Sequence, residues 1–352
     1  MQIDRFDLEE WFHEVEYDAE VMLAESGVRP LSAERFDTDP GTLGYVIPTN
    51  GDPEFRETIG ARHDRAAEEV VFTCGTQEAN LLAFLALMGE HAVVVTPTYG
   101  ALTGLPAALG ETTTVPLDRP GWRLDPTQVA EALRPETAVV IINNPNNPTG
   151  RAHDEETLRA IYEICADNGT HLLCDEVYRG FADDPVAPIA SFGRYGVSTG
   201  GVSKAFGLSG VRFGWLCGPP AVVAAAREWH HYTTLAPPVF GQHVARQAID
   251  DADAILAESR EIAAEGRRRV AQFVDDRELV WSDPDCGVNA FVEVPPGFAG
   301  GESFCRRLLR ETSVVLAPGE AFGYPDRFRI GFGYPAALEE GLSRVEAFLD
   351  RH

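Results

Sequence analysis

GGVSKAFGLSGVRFGW (residues 200–215) contains Lys204, the only lysine in the chain; the other 28 of its 29 Lys and Arg residues are arginine. A guanidinium replaces an ammonium wherever only positive charge is wanted, but it does not form an imine with an aldehyde, and a primary amine does. Glycines on both sides let backbone approach a bulky group closely. The pattern points to one lysine kept for carbonyl chemistry.

The rest of the chain says where such chemistry would sit. Its 352 residues, 44% hydrophobic and 24% charged, have globular composition and suffice for two domains. A formal net charge of −26 opposes nucleic acid or an anionic membrane as partner, because both need basic patches. Such an acid excess with lysine nearly absent is the surface expected of a salt-adapted protein. No run of 18 apolar residues is present, so no membrane span is expected. The acidic start MQIDRFDLEEWF lacks the basic and apolar regions of a secretory signal. Six cysteines are scattered without a C-x-x-C pair, and several sit inside apolar runs where they read as reduced small hydrophobic side chains, which suits a cytoplasmic protein.

Between about residues 68 and 220, β-branched runs alternate with helical stretches. VVF (70–72), AVVVTP from 92, TAVVIINN from 137, HLLCDEVY from 171 and FGWLCGP from 213 read as strands. QEANLLAFLALM and DEETLRAIYEICADNG read as helices between them. Apolar strands separated by helices predict a mainly parallel sheet covered on both faces, with its ligand crevice at the carboxyl ends of the strands. Beyond about residue 220, a long helical stretch, DADAILAESREIAAEGRRRVAQFVDD, precedes strand signals at GVNAFVEV and FRIGFG, predicting a second, α+β unit completed by the N-terminal segment.

V-S-K-A-F-G-L-S-G-V-R-F-G-W resembles the lysine segment of the class I/II, fold-type I aminotransferases that use pyridoxal 5'-phosphate (PLP), and the resemblance recurs in order along nearly the whole chain. It implies an α/β fold: a mainly parallel seven-stranded sheet sandwiched by helices, with a smaller α+β domain from the N- and C-terminal segments. Residues 41–250 would form the large domain, and residues 1–40 and 251–352 the small one. Lys204 would carry PLP as a Schiff base, and Arg212, eight positions on, would bind its phosphate, joined by Ser203. CGTQEAN (74–80) leaves a strand and opens a helix, whose free amides suit a phosphate; the match falls on Gly75, Thr76 and Gln77.

The ring contacts follow from the same resemblance. Tyr99 in TPTYG (96–100) would stack on the pyridine ring. NNPNNPTG (143–150) is a rigid turn, and its Asn147 would hydrogen-bond the ring oxygen beside the substrate. In DEVYRGF (175–181), Asp175 would keep the pyridine nitrogen protonated, so that the ring withdraws electrons from the substrate Cα, and Tyr178 would reach the ring oxygen. YPDRFRIGFG (324–333) supplies Arg329 for a two-pronged pair with the substrate α-carboxylate; Arg327, two residues away, reads as a surface charge or a reader of the substrate side chain. LGYVIPTNGDPEFRETIG (43–60) carries Tyr45, which would reach the partner subunit's phosphate and implies a homodimer with shared sites. Gly27, in ESGVRP, would approach the substrate carboxylate.

One position departs from the family pattern. Gly201 stands where a serine hydroxyl often faces the phosphate, leaving Ser203 or Thr199 to compensate. His230, His231 and Tyr232 either line the pocket or cap a helix. The implied activity is ping-pong transfer of an amino group from an L-amino acid to a 2-oxo acid, without a metal. Within PLP chemistry a lyase or cyclase remains open: ESGVRPLS, PGWRLDP and HHYTTLAPP are similar to stretches of capreomycidine synthase-like enzymes, which act on an arginine-derived substrate. Histidinol-phosphate aminotransferases share features of SKAFGLSGVRFGW and RIGFG. A nucleotide-binding oxidoreductase is disfavoured because no G-x-G-x-x-G follows the first strand. A non-catalytic PLP module of a regulator is disfavoured because no helix-turn-helix precedes the domain.

Overall fold

The computed structural model describes residues 3–352. Its strands in chain order are β1 (Val21–Met22), β2 (Val70–Thr73), β3 (His91–Thr96), β4 (Glu111–Pro116), β5 (Thr137–Asn143), β6 (His171–Asp175), β7 (Gly196–Gly201), β8 (Gly214–Cys217), β9 (Asn289–Glu293), β10 (Val314–Val315), β11 (Ala317–Pro318) and β12 (Arg327–Gly331). Seven of them form one sheet in the order β2-β8-β7-β6-β5-β3-β4. Strand β8 runs antiparallel to both its neighbours, and the other pairings are parallel. The expected mainly parallel seven-stranded sheet is therefore present.

Alternation along the strands buries both faces. Val93, Val95, Val140, Ile142 and Leu172 pack on one side with Leu158, Ile161 and Cys165 of the helix Glu155–Asn168. Ala92, Val94, Val139, Ile141 and Leu173 face the other side, under the helices Gly75–Leu87 and Pro220–His230. Each fully buried aliphatic side chain contributes roughly 1.5–3 kcal/mol, so this double cover fixes the strand order that aligns the carboxyl ends. Local signals set the helix limits. Asp154 caps Glu155–Asn168 by accepting from Thr157 N, and Gly169, at φ +74, ends it in the left-handed conformation that glycine tolerates.

The N- and C-terminal segments meet in one of two smaller sheets, and the other is wholly C-terminal. β1 pairs in parallel with β10, and β11-β12-β9 is antiparallel. The long stretch read as helical is the helix Ala252–Asp276. Among the described residues no helix is long and apolar enough to cross a membrane, and no cluster of metal-ligating side chains occurs.

Candidate active site

The carboxyl ends of the parallel strands open onto a cavity of about 390 Å³. Asp175, the last residue of β6, sits on its wall with its carboxylate buried. Burial pushes this carboxyl above its ordinary value, while donors from Asn80 Nδ2 (2.8 Å) and Val177 N (3.0 Å) and the charge of Lys204 act against that rise. Asn80 in turn accepts from Thr199 Oγ1 at 2.6 Å, so the Asp175 side chain is held through β7. Lys204 follows β7 and donates from Nζ to Ser26 Oγ at 2.7 Å.

At one end, the helix Gly75–Leu87 begins without a side-chain cap, leaving its first amides free. Thr76 Oγ1 is buried without a hydrogen-bond partner, and the Arg212 guanidinium lies against Gly75, which has φ +76 and no room for a Cβ. Glu78 braces this turn from behind, accepting from Cys74 N (2.6 Å) and Thr234 Oγ1 (2.8 Å). Gln77 and Ser203 also line the cavity.

At the other end lies Arg329, 1% exposed. Its Nη1 donates to Asn147 Oδ1 (2.9 Å) and its Nη2 to Ala24 O (2.6 Å), while Nε has no partner. Burial lowers the pKa of its guanidinium. Tyr99 and Tyr178 face the same space. The Tyr99 hydroxyl donates to Glu9 Oε1 at 2.8 Å, and burial first, then the Glu9 charge, pushes that phenol upward.

Eleven of the thirteen sequence-predicted residues thus converge, ten as cavity-lining side chains and Gly75 through its backbone. Gly27 lies just behind, where a Cβ would come within 3.5 Å of Lys204 Cα and Cδ. Tyr45 stays away from its own chain's cavity and is 66% exposed. Several alternatives left open by the sequence resolve. Arg327 is a buried residue that donates to Glu293 Oε1 (2.6 Å) and lies over the Trp122 ring; it is neither a surface charge nor a wall of the cavity. Thr199 is committed to Asn80 and does not compensate for Gly201. His230 ends a helix, with Nε2 3.1 Å from Thr234 Oγ1, and neither it nor His231 or Tyr232 lines the cavity.

Sequence reasoning missed Ser26, Asn80 and the carboxylates Glu9, Glu16 and Glu25, all of which line the cavity. The spacing of Thr76 and Asn80, four apart on one helix, puts them on one face and was the signal for Asn80.

A parallel sheet with a lone lysine, a buried aspartate and an open helix N-terminus at its carboxyl ends defines a PLP-dependent enzyme of fold type I. Residues 26–345 match the family of class I and II aminotransferases, and the chain belongs to that family. It is 32% identical over 369 residues to capreomycidine synthase of Streptomyces vinaceus, covering 98% of this chain and 94% of that protein. The solved structure of a PLP-dependent aminotransferase from Streptococcus suis 89-1591 superposes with a TM-score of 0.94 at 29% identity, covering 100% and 99% of the two chains. That of the PLP-dependent cyclase OrfR gives 0.91 at 30%, covering 100% and 98%.

The cofactor is pyridoxal 5'-phosphate, and the residues present fit it. The unpartnered Thr76 hydroxyl, the uncapped helix start and Arg212 make a cradle for a phosphate dianion. A Cβ on Gly201 would lie 2.5 Å from Thr76 Oγ1, so the glycine that replaces the family's serine makes room for the Thr76 hydroxyl.

Proposed function

We propose that the chain is a transaminase that moves the amino group of an L-amino acid to a 2-oxo acid by a ping-pong route through one site. The observation that carries this reading is the convergence of Lys204 Nζ, the Asp175 carboxylate, Arg329 and the open helix start at Gly75 on a single cavity. PLP, when bound, supplies an aldehyde and a ring that withdraws electrons from the substrate Cα. Gly75, Thr76, Gln77, Ser203 and Arg212 hold the phosphate. Asp175 would pair with the pyridine nitrogen, Tyr99 would stack on the ring, and Tyr178 and Asn147 would hydrogen-bond its oxygen. Arg329, with Nε free, would bind and orient the substrate α-carboxylate, and Gly27 would leave room for that carboxylate. Lys204 Nζ would anchor the cofactor and, once released, would take the proton from Cα and return it two atoms further on, to the cofactor's former aldehyde carbon, acting first as base and then as acid.

Tyr45 completes the phosphate site of a second copy in this reading, and the exposed Leu43, Tyr45 and Ile47 support a homodimer. The division at residues 40/41 and 250/251 is part of the proposal; Asp251 both ends the helix Val239–Asp250 and begins Ala252–Asp276. Six unpaired cysteines support a cytoplasmic location.

A second reading, a PLP-dependent lyase or cyclase, is favoured by the likeness to capreomycidine synthase and OrfR. Amino donors offered to the purified protein separate the two. A transaminase bleaches the visible band of the cofactor and needs a 2-oxo acid to restore it, whereas a lyase or cyclase turns over without one. Glu9, Glu16 and Glu25 line the cavity and its three cations, Lys204, Arg212 and Arg329, are all assigned, so glutamate and aspartate are expected to react more slowly than neutral or cationic donors. Lys204→Ala is expected to lose both the visible band and turnover; retention of either overturns the assignment.

A further inference from the structure

The proton-transfer scheme above gives no role to Ser26. This residue is 8% exposed, lines the cavity, and accepts from Lys204 Nζ at 2.7 Å. Among the described residues no other side chain hydrogen-bonds that amine. A lysine side chain has four rotatable bonds, and one well-placed acceptor decides which of its many rotamers is occupied.

The neighbouring backbone fixes the Ser26 hydroxyl in place. Ala24 O accepts from Arg329 Nη2 (2.6 Å), Val28 N donates to Lys204 O (3.4 Å) and Arg29 N donates to Gly333 O (2.9 Å). Gly331 and Gly333 pack so closely on Glu25 O and Gly27 O that neither tolerates a Cβ. One short segment therefore registers the guanidinium for the substrate carboxylate and the amine for the substrate Cα together.

We propose that Ser26 is the positioning residue for the catalytic amine: when Lys204 Nζ is not joined to the cofactor, Ser26 Oγ holds it beside the substrate Cα. The Cα–H bond breaks, its proton passes to Nζ and its electron pair is drawn toward the ring; Ser26 neither gains nor loses a proton. The inference rests on the Lys204 assignment above but adds a residue to it.

Because Lys204 is the only lysine, 13C-lysine labelling of the full-length chain yields one set of side-chain signals, observable without cofactor. The wild type is expected to show a restrained Cε, and Ser26→Ala a mobile one. Ser26→Cys keeps the volume but offers a poor acceptor, and is expected to follow Ser26→Ala. In the holoenzyme both variants lower kcat about tenfold with KM unchanged, the loss of one hydrogen bond, and raise the isotope effect of an α-deuterated donor. A Cε equally mobile in all three proteins, or Ser26→Cys matching the wild type, overturns the inference. If no donor alters the wild-type cofactor spectrum, the functional reading fails instead, and the labelling result still decides the role of Ser26.

Discussion

Opposed influences act on the Asp175 carboxyl, and burial, the largest, raises it above its ordinary value. Burial favours the neutral acid, while the Asn80 amide, the Val177 N–H and the charge of Lys204 favour the carboxylate. A hydrogen bond to a charged group is worth about 1.5–3 kcal/mol, so Asn80 decides much of that balance. Asn80→Leu removes the donor, frees Thr199 Oγ1 and leaves Asp175 Oδ2 bare. Cofactor affinity and kcat are expected to fall about tenfold or more, measured by equilibrium dialysis of PLP and by single-turnover rates; unchanged values would show that Val177 N suffices. Asp175 was legible in the sequence because D-E-V-Y closes an apolar run. Its partner was not, because an asparagine on a helix carries no mark of which strand end it faces. Lys204 was legible for the opposite reason: a composition that discards lysine makes the one retained conspicuous.

Strands declare themselves by apolar runs, and β2, β3, β5, β6 and β8 did so. Two sheet members gave no such signal, each for a physical reason. β4, ETTTVP, is an edge strand with only Val115 buried, so little of it needs to be apolar. β7, GVSTGG, is wholly buried yet poor in large side chains, because its glycines make room for neighbours. A Cβ on Gly200 would lie 2.8 Å from Trp215 Nε1, and one on Gly201 would lie 2.5 Å from Thr76 Oγ1 and 2.8 Å from Phe213 O. The two-residue strands β1, β10 and β11 are too short to carry any periodicity, so the junction of the chain's two ends was legible only as a likeness to a family. Glycine at 201 is thus a packing requirement of the phosphate end. Gly201→Ala is expected to cost about 1–3 kcal/mol of stability, the usual penalty of overpacking. It also displaces the Thr76 hydroxyl, so PLP retention falls with it. Calorimetry and dialysis would show both losses; a variant that binds PLP like the wild type would exclude Thr76 from the cradle.

Across the whole molecule the acid excess and a few buried titratable groups set the response to medium. His63 and His153 are buried and neutral, with burial lowering both to about 4 from an ordinary 6.5. The stability they contribute is present above pH 6.5 and is lost as pH falls through about 4, because the unfolded chain takes up protons that the fold refuses. Glu176, one residue past Asp175, acts in the opposite sense. Burial raises it to about 7 from 4.5, so its contribution is present below pH 4.5 and is lost as pH rises through about 7. Between pH 6.5 and 4.5 two histidines therefore oppose one glutamate. For these three groups the net is one proton bound by the unfolded state, a slope of about 1.4 kcal/mol per pH unit at most. Glu176→Gln removes the opposing contribution, so its stability should fall more steeply on acidification, approaching the two-proton slope, in urea unfolding between pH 7 and pH 5. Run in multimolar KCl, the same series should show higher stability at pH 7 throughout, because salt screens a net charge of −26 while these buried groups keep their pH slopes. Equal slopes in wild type and Glu176→Gln would mean that the Glu176 carboxyl titrates in the fold as it does in the open chain.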